Sequence, residues 1–382
     1  MKFGADFETL LARFSEDTNK PLTIAVSGGS DSLALLWNTH EWSARSGRQL
    51  QVFTVDHRLR AESASEAEHV AGLCEALGHF HMTLTWDTPK KTQSAAREAR
   101  YELICKAMQA SGGRVLLTGH TFDDVFETAM IRRRRGVRDA SIAGPALAAP
   151  APVWPNGRAI TVIRPLIHAT RSALRQFLTE RDCAWIEDPS NESIQFERVR
   201  VRKFLARHPS LADLGRSFVQ VQQKQRATRD ASLGKHLSQV EVHADGTIEV
   251  HQSPMTARAM ALLARCASGT ASEPRLGAVR DMLSSLTRPG QRQTLGGAWI
   301  QKTQTGLLIG RDPGATNLKT DHELFDGRFE RKPGAGLPQP AEQTFLVRHA
   351  SPPDSDWREI VSDRISHLAL CLQTPLLNPV ES

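Results

Sequence analysis

The feature that most constrains the fold is an alternation of short apolar strands with helical periodicities across the first half of the chain. The strand candidates are residues 23–26, 51–55, 81–85, 115–118 and 160–164. Helical spacing of apolar residues follows the first strand at Ser32, the second at Ser63 and the third at Gln93. Because a helical crossover returns the chain to the same edge of a sheet, such strands pair in parallel. The sequence therefore predicts an α/β protein with a twisted parallel sheet and helices on both faces, a Rossmann-like arrangement.

After Leu211 the pattern changes to a smaller α+β region. The segment Val240–Val250 carries Asp245-Gly246 between its two halves, which predicts a β-hairpin. Short helices are predicted at 257–266 and 275–286, a further pair of strands at 293–301 and 306–310, and a Pro- and Gly-rich loop at 144–157. We expect one domain at 1–211 and a second at 212–318, followed by a C-terminal segment, 319–382, whose fold is unassigned.

Composition excludes several classes of protein. The five cysteines are far apart and form no CxxC pair, which argues against a zinc knuckle, a cysteine-held iron–sulfur cluster and a CxxC redox site. Such thiols suit a reducing cytoplasm, which is the expected location. No apolar run approaches the ~20 residues of a spanning helix, and Asp6 and Glu8 argue against a signal peptide. The net charge of +6 favours a polyanionic partner.

A loop rich in glycine and serine, Ser27–Ser32, joins the first strand to its helix. Glycines allow positive φ and a close approach of backbone N–H groups to a ligand, and the helix start adds free N–H groups and a positive dipole end. The loop contains neither GxxxxGK[ST] nor GxGxxG. It predicts a phosphate cradle in which Asp31 either caps the helix or helps to hold a metal on the phosphates.

Polar residues follow the fourth strand at helical spacing. His120 lies one turn before Asp124, and Glu127 lies three residues further on, so the three share one helix face. Open α/β sheets bind ligands beyond the carboxyl ends of their strands, so this stripe is expected to face a ligand rather than solvent. Arg97 and Arg100 are likewise three apart on a predicted helix, where both can reach one phosphate.

Several motifs resemble those of the N-type ATP pyrophosphatases, a superfamily that cleaves ATP between its α and β phosphates. Ser27–Ser32 resembles the SGGxDS pyrophosphate loop, Val55–Arg60 resembles VDHxLR, and Thr118–Thr128 resembles TGHxxDDxxET. Gln93–Tyr101 is similar to a helix with two arginines on the adenylate side. These motifs imply the fold that the strand–helix alternation predicts.

A later series of motifs resembles the lysidine synthase family within that superfamily. The series consists of RPL at residues 164–166, the W…DPSN segment at 185–191, and FER at 196–198. The chain departs from the family at Thr121, where a second His is usual, and at Val125, where Gln is usual. Val199 replaces an Asn, and the arginine-rich segment 131–139 replaces a more apolar loop.

The resemblance implies a ligase that uses ATP and Mg²⁺ to adenylate the wobble cytidine of an isoleucine tRNA with a CAU anticodon, and then attaches free L-lysine. The implied ATP-binding residues are Ser27, Gly28, Gly29, Ser30, Asp31, Ser32, Asp56, His57, Arg97 and Arg100. The implied catalytic residues are Asp31, His120, Asp124, Glu127 and Arg198, with Asp31 also the candidate Mg²⁺ ligand. Lysine amines need carboxylates, the role expected for Asp124 and Glu127. Members of the family often form homodimers.

Two basic clusters are expected to hold tRNA phosphates. They contain Arg132, Arg133, Arg134 and Arg135, together with Arg200 and Arg202. Adjacent cations repel one another unless an anion lies near, which favours contact with phosphate over an idle surface. The region 212–318 is the expected tRNA-binding domain.

Three other functions stay open. A tRNA thiolase of the same superfamily would put sulfur on the activated base, and that chemistry normally needs paired cysteines or a cluster. A catalytically inactive RNA-binding protein would tolerate decay of the phosphate loop and of the acidic stripe, and neither shows it. An amidotransferase-type synthetase would need an N-terminal catalytic cysteine and a glutaminase segment, which the sequence does not show.

Overall fold

In a computed structural model, the chain forms two compact units. The first unit comprises residues 1–151, 160–230 and 374–382, and the second comprises 152–159 and 231–373. The residues that the structure describes are 5–14, 19–58, 62–89, 92–137, 140–187, 197–251, 255–315, 324–332 and 357–374. The predicted domain boundaries at 211 and 318 stay predictions.

A mostly parallel sheet forms the centre of the first unit. Its strands are β1 (Leu22–Ala25), β2 (Leu50–Asp56), β3 (Phe80–Thr85), β4 (Val115–Thr118), β5 (Ala148–Pro150) and β6 (Thr161–Ile163). The strand order is β3-β2-β1-β4-β6-β5, and β5 alone among these pairs antiparallel, with β6. The predicted α/β class is therefore confirmed. Since the chain runs outward from β1 to β3 and then returns to β4, the order reverses between β1 and β4.

Helices follow the strands of this unit, as their spacing predicts. They are α1 (Ala5–Phe14), α2 (Ser30–Ser46), α3 (Ser63–Ala76), α4 (Gln93–Ser111), α5 (Phe122–Arg134), α6 (Arg171–Thr179), α7 (Glu197–Ala206) and α8 (Pro209–Leu237), of which residues 231–237 belong to the second unit. Local chemistry sets several of the ends: the Thr92 side chain accepts from the Ala95 N–H to begin α4, and Gly112 ends it at φ 73°. Strand side chains such as Leu22, Ile24 and Val52 are fully buried, so burial against the helices holds the sheet together.

One predicted loop contains a strand. The stretch 144–157 was expected to be irregular because of its proline content, yet Ala148–Pro150 forms β5. Its position at the end of the strand order explains the difference, because an edge strand tolerates a proline that cannot donate to a ladder.

The second unit is built on an antiparallel sheet. Its strands are β7 (Glu241–Val242), β8 (Ile248–Val250), β9 (Arg292–Leu295), β10 (Ala298–Lys302) and β11 (Leu307–Arg311), in the order β7-β8-β11-β10-β9. The predicted hairpin is present as β7 and β8, with Gly246 at φ 76°. The single strand predicted at 293–301 is wrong: Gly296 and Gly297, both at positive φ, form a turn that divides it into β9 and β10.

Among its described residues, the second unit also contains three helices and a separate three-stranded sheet. They are α9 (Ala257–Ala267), α10 (Leu276–Ser285), the short strands β12 (Leu324–Phe325), β13 (Phe329–Arg331) and β14 (Trp357–Glu359), and α11 (Val361–Leu372). Of these helices, α9 and α10 pack against the five-stranded sheet. Residues 152–159 belong here as well, since the Trp154 indole N–H donates to the Gly327 carbonyl at 2.7 Å. Across the described part of the chain, every helix is too short or too polar to cross a bilayer.

Candidate active site

The phosphate loop and the polar stripe meet at the reversal point of the parallel sheet. β1 pairs directly with β4, with Ala25 opposite Thr118, so the segments that follow the two strands are neighbours. Gly119, the first residue beyond β4, lies so close to α2 that a Cβ atom there would come within 2.9 Å of the Asp31 carbonyl oxygen. Glycine is therefore required for this approach, and the sheet brings the two sequence motifs into contact.

The phosphate loop is shaped by its own serines and by one left-handed glycine. Gly28 has φ 81°, and a Cβ there would lie 2.6 Å from Ile186 Cδ1. The Ser32 hydroxyl accepts from the Ser27 N–H at 3.1 Å and donates to the Gly29 carbonyl at 2.9 Å. Gly29 is the N-cap of α2 and supplies no side-chain cap. Because glycine has no side-chain oxygen, Gly29 does not occupy the free N–H groups of the first turn. These N–H groups are the donors that bind phosphate at helix N-termini.

Asp31 lies in the first turn of α2, beside this cradle. Its Oδ1 accepts from the Ser30 hydroxyl at 3.3 Å, and its Oδ2 accepts from Arg171 Nε at 3.0 Å. Burial raises the pKa of the Asp31 carboxyl, and the positive charge of Arg171 only partly opposes that shift. The Asp31 carboxylate and the Ser30 hydroxyl that contacts it are hard oxygen donors, the kind that suits a Mg²⁺ ion on phosphates.

His120 and Asp124 are organised by the start of α5. Thr121, at the position where the family usually has a histidine, is the N-cap: it accepts from the Asp124 N–H, and the Asp124 carboxylate accepts from the Thr121 N–H at 2.9 Å. Burial disfavours the Asp124 charge, but Arg171 and this backbone hydrogen bond outweigh it and lower the carboxyl pKa. Burial, together with the charge of Arg164, lowers the pKa of His120 to about 3. His120 is therefore neutral at pH 7.

Glu127 is the most enclosed member of the stripe, with 2% of its side chain exposed. Its carboxylate lies 2.8 Å from Arg202 Nε and 3.5 Å from both Arg171 Nη1 and Arg198 Nε. The structure thus brings the predicted catalytic Arg198 to the stripe, and places the predicted tRNA ligand Arg202 there too. A lysine amine would have to displace a guanidinium to reach Glu127. Direct lysine binding by Glu127 stays a prediction.

Arg171 is a site residue that the sequence analysis missed. Helical spacing from the apolar Leu174 and Phe177 predicts that Arg171 points outward from α6. That prediction is wrong, since the side chain is 17% exposed and faces Asp31, Asp124 and Glu127. One signal was available. A cation at the first position of a helix opposes the helix dipole, so an arginine there indicates a compensating anion nearby.

The residues expected to line the ATP pocket lie at the carboxyl end of β2 and in the first half of α4. Asp56 accepts from the Arg58 N–H at 2.9 Å; burial opposes its charge, but hydrogen bonds from Ser63 and Arg58 lower its pKa. Burial and the charge of Arg100 lower the pKa of His57 to about 4. Arg97 is exposed and stacks over Tyr101 at 5.1 Å, and its charge contributes to the low pKa of His120.

The arginine-rich end of α5 lies largely in solvent. Arg133, Arg134 and Arg135 are exposed and Arg132 is half-buried, while Arg135 pairs with Glu197 at the start of α7. Arg133 lies over the exposed Phe218 ring at 5.6 Å, and Arg200 is exposed on α7. The remaining motif positions, Leu59-Arg60, Arg138, 188–191 and Phe196, lie outside the described residues.

Comparison with known proteins agrees with this site. Residues 3–209 match the PP-loop domain family. This match agrees with a phosphate-binding loop that follows β1 at the reversal point of a parallel sheet. The chain belongs to the PP-loop family.

More specific relatives share most of the chain. A tRNA(Ile)-lysidine synthase from Hyphomonas neptunium is 36% identical over 80% of this chain and 85% of its own length. Another from Rhizobium meliloti is 36% identical over 82% of this chain and 74% of its own length. Within the PP-loop proteins, the chain belongs to the tRNA(Ile)-lysidine synthase family. Among solved structures, a U34-tRNA thiolase from Methanococcus maripaludis is 15% identical over 58% of this chain and 76% of that chain, with a TM-score of 0.45.

Proposed function

We propose that this chain ligates lysine to the wobble cytidine of the isoleucine tRNA with a CAU anticodon, forming lysidine, AMP and pyrophosphate. The observation that carries the proposal is the junction of the phosphate loop with the His120–Glu127 stripe at the reversal point of the sheet. An adenylating enzyme needs a phosphate cradle beside the groups that handle the second substrate. Membership of the lysidine synthase family supports the same reaction.

In the first half-reaction, the ring carbonyl oxygen beside N3 of the cytidine attacks the α-phosphorus of ATP, and pyrophosphate leaves. The backbone N–H groups of Gly28–Ser32 and the serine hydroxyls hold the phosphates, and Arg97 and Arg100 offset charge that builds on the leaving pyrophosphate. Asp31 would hold a Mg²⁺ ion, which supplies charge neutralisation on the phosphates. His120 is neutral, so it offers a hydrogen bond to this site and no charge.

In the second half-reaction, the neutral ε-amine of lysine attacks the activated ring carbon, AMP leaves, and the amine releases its proton. The proposal assigns the lysine amine to Asp124, whose carboxylate lies in the stripe and is less enclosed than that of Glu127. Glu127 then keeps Arg198 and Arg202 of α7 in place beside the activated base. The exposed arginines at the end of α5 and Arg200 hold tRNA phosphates, and the region 212–318 adds further tRNA contacts.

Two cysteines of the first unit, Cys74 and Cys105, are poorly suited to sulfur transfer. Cys74 and Cys105 are buried, and burial raises the pKa of their thiols to about 11 and about 12. Thiols of this kind are poor nucleophiles and poor cluster ligands. A thiolase would need reactive sulfur at the activated base.

The test is a reaction of the full chain with ATP, lysine and CAU-anticodon tRNA, followed by mass spectrometry of the nucleosides. We expect a lysine-modified cytidine that requires all three substrates, and none with Asp31→Ala. Asp87→Ala is the matched control, because Asp87 is an exposed carboxylate in a surface pair with Arg58. A product that needs a sulfur donor instead of lysine would contradict the proposal, as would modification without ATP.

A further inference from the structure

Arg171 makes a three-way contact that joins the two motifs of the site. Its Nε lies 3.0 Å from Asp31 of the phosphate loop, its Nη2 lies 3.5 Å from Asp124, and its Nη1 lies 3.5 Å from Glu127. Each of the three nitrogens of the guanidinium therefore faces a different carboxylate. A guanidinium presents its donors from three nitrogens in a plane, whereas an ammonium group presents its three donors from a single nitrogen and cannot reproduce the same three contacts.

The backbone under Arg171 is fixed as well. The Arg171 N–H donates to the Asp123 carboxylate at 2.7 Å, and the Phe122 N–H donates to the Ala169 carbonyl at 2.8 Å. Thr170 caps α6 by accepting from the Ala173 N–H. The first turn of α6 is thus tied to the first turn of α5, and the guanidinium starts from a defined position.

Asp31, Asp124 and Glu127 concentrate negative charge at the place where the triphosphate of ATP has to bind. Arg171 is the cation that contacts all three of them, while the contacts that Arg198 and Arg202 make with this group are to Glu127. Loss of its charge would leave the phosphate loop facing carboxylates that repel ATP. Loss of the guanidinium geometry alone would leave the positive charge, but Arg171 would no longer hold the Asp31 and Asp124 carboxylates together.

We propose that Arg171 is a positioning residue that fixes the Asp31 carboxylate against the Asp124 carboxylate and offsets their charge so that ATP can bind. The inference rests on the proposed function, and it adds a residue that links the ATP half of the site to the lysine half. The charge of Arg171 and the geometry of its guanidinium can be tested separately. The substitution Arg171→Lys keeps the positive charge and loses the guanidinium geometry.

A second ion pair, between α2 and the residues just after α6, provides the matched control. α6 packs against α2, and just beyond the end of α6 Arg181 Nη2 lies 2.8 Å from the Glu41 carboxylate of α2. This pair joins α2 to the chain just beyond α6 and involves none of the site residues. Arg181→Gln therefore reports what the loss of an ion pair next to the α2–α6 contact does to stability alone.

The experiment compares Arg171→Gln, Arg171→Lys and Arg181→Gln by steady-state kinetics in ATP and in lysine, with thermal melting of each protein. We expect Arg171→Gln to raise the KM for ATP about tenfold or more and to lower kcat. Arg171→Lys should keep the KM for ATP within about threefold of the parent and lower kcat about tenfold to a hundredfold. Arg181→Gln should match the parent in both constants.

The results distinguish failure of the role proposed for Arg171 from failure of the proposed function. Arg171→Gln with the constants of Arg181→Gln overturns the inference, whatever its melting temperature. If Arg171→Gln does not fold, Arg171→Lys decides: a lowered kcat with an unchanged KM for ATP supports the role, and two unchanged constants overturn it. A parent protein that forms no lysine-modified cytidine would instead contradict the proposed function itself.

Discussion

Gly119 lies against the backbone of Asp31, at a distance that leaves no room for a side chain. A Cβ at Gly119 would come within 2.9 Å of the Asp31 carbonyl oxygen and 3.1 Å of Ser32 Cα. Both neighbours are backbone atoms of the turn that begins α2, and backbone cannot move aside as the end of a long side chain can. The contact therefore sets the distance between the phosphate loop and the stripe that follows β4.

The first prediction concerns this contact. Gly119→Ala should push α2 away from β4, lower the stability by about 1–3 kcal/mol and raise the KM for ATP. Denaturant unfolding and ATP-dependent AMP formation measure the two effects. Gly72→Ala is the control, because Gly72 lies within α3 with open space where a Cβ would be, and alanine there should add about 0.5–1 kcal/mol of stability. A Gly119→Ala protein with unchanged stability and KM would show that the contact is loose.

The second prediction concerns Glu127. Its carboxylate is buried and holds Arg198 and Arg202, so Glu127→Gln should release both arginines from the site. We expect kcat/KM for tRNA to fall roughly tenfold to a hundredfold, with a smaller change in the KM for lysine. The measurement is steady-state kinetics with each substrate varied in turn.

Glu180→Gln is the control for this variant, because Glu180 is exposed and its carboxylate accepts from the nearby Gln176 amide on the same helix. It should behave like the parent. A Glu127→Gln protein with a large rise in the KM for lysine and unchanged use of tRNA would instead place the lysine amine at Glu127, as the spacing of the stripe alone suggests.

Sequence was sufficient for the parts of the site that local pattern determines. The strand–helix alternation predicted the parallel sheet, and Asp124 and Glu127 share a face because α5 is continuous through them. The prediction that His120 shares this helix face is wrong, because His120 precedes the Thr121 N-cap and lies outside α5. The contacts of Arg171 and Arg202 could not be derived in this way, because they join α6 and α7 to residues many positions earlier in the chain. Helical spacing tells which residues share a face, but it does not tell what packs against that face.

The third prediction concerns acid stability. The pKa of His57 is lowered to about 4, so between its ordinary value near 6.5 and about 4 the unfolded chain binds a proton that the folded protein does not. His57 therefore contributes stability that is fully present above pH 6.5 and is lost as the pH falls toward 4. We expect the melting temperature of the parent to fall through this window and the fall to be shallower in His57→Asn.

The control for this pH series is His69→Asn, because His69 is exposed on α3. Its melting curve should follow that of the parent at every pH. If His57→Asn keeps the full acid dependence of the parent, the buried environment of the imidazole is not what weakens the protein in acid.

The last prediction concerns the exposed arginines at the end of α5. Replacing Arg133 and Arg134 by alanine should weaken tRNA binding and flatten the dependence of log affinity on log salt by about one unit for each phosphate that the protein no longer neutralises. Phosphate contacts act on affinity, so the KM for ATP should stay near the parent value. A double variant of Lys106 and Arg114, two exposed cations on α4 and at the amino end of β4, removes the same charge at the other end of the strands. It should keep the salt slope of the parent. Equal slopes for the two double variants would show that the basic end of α5 is a solvated surface, and tRNA recognition would then rest on the region after Leu211.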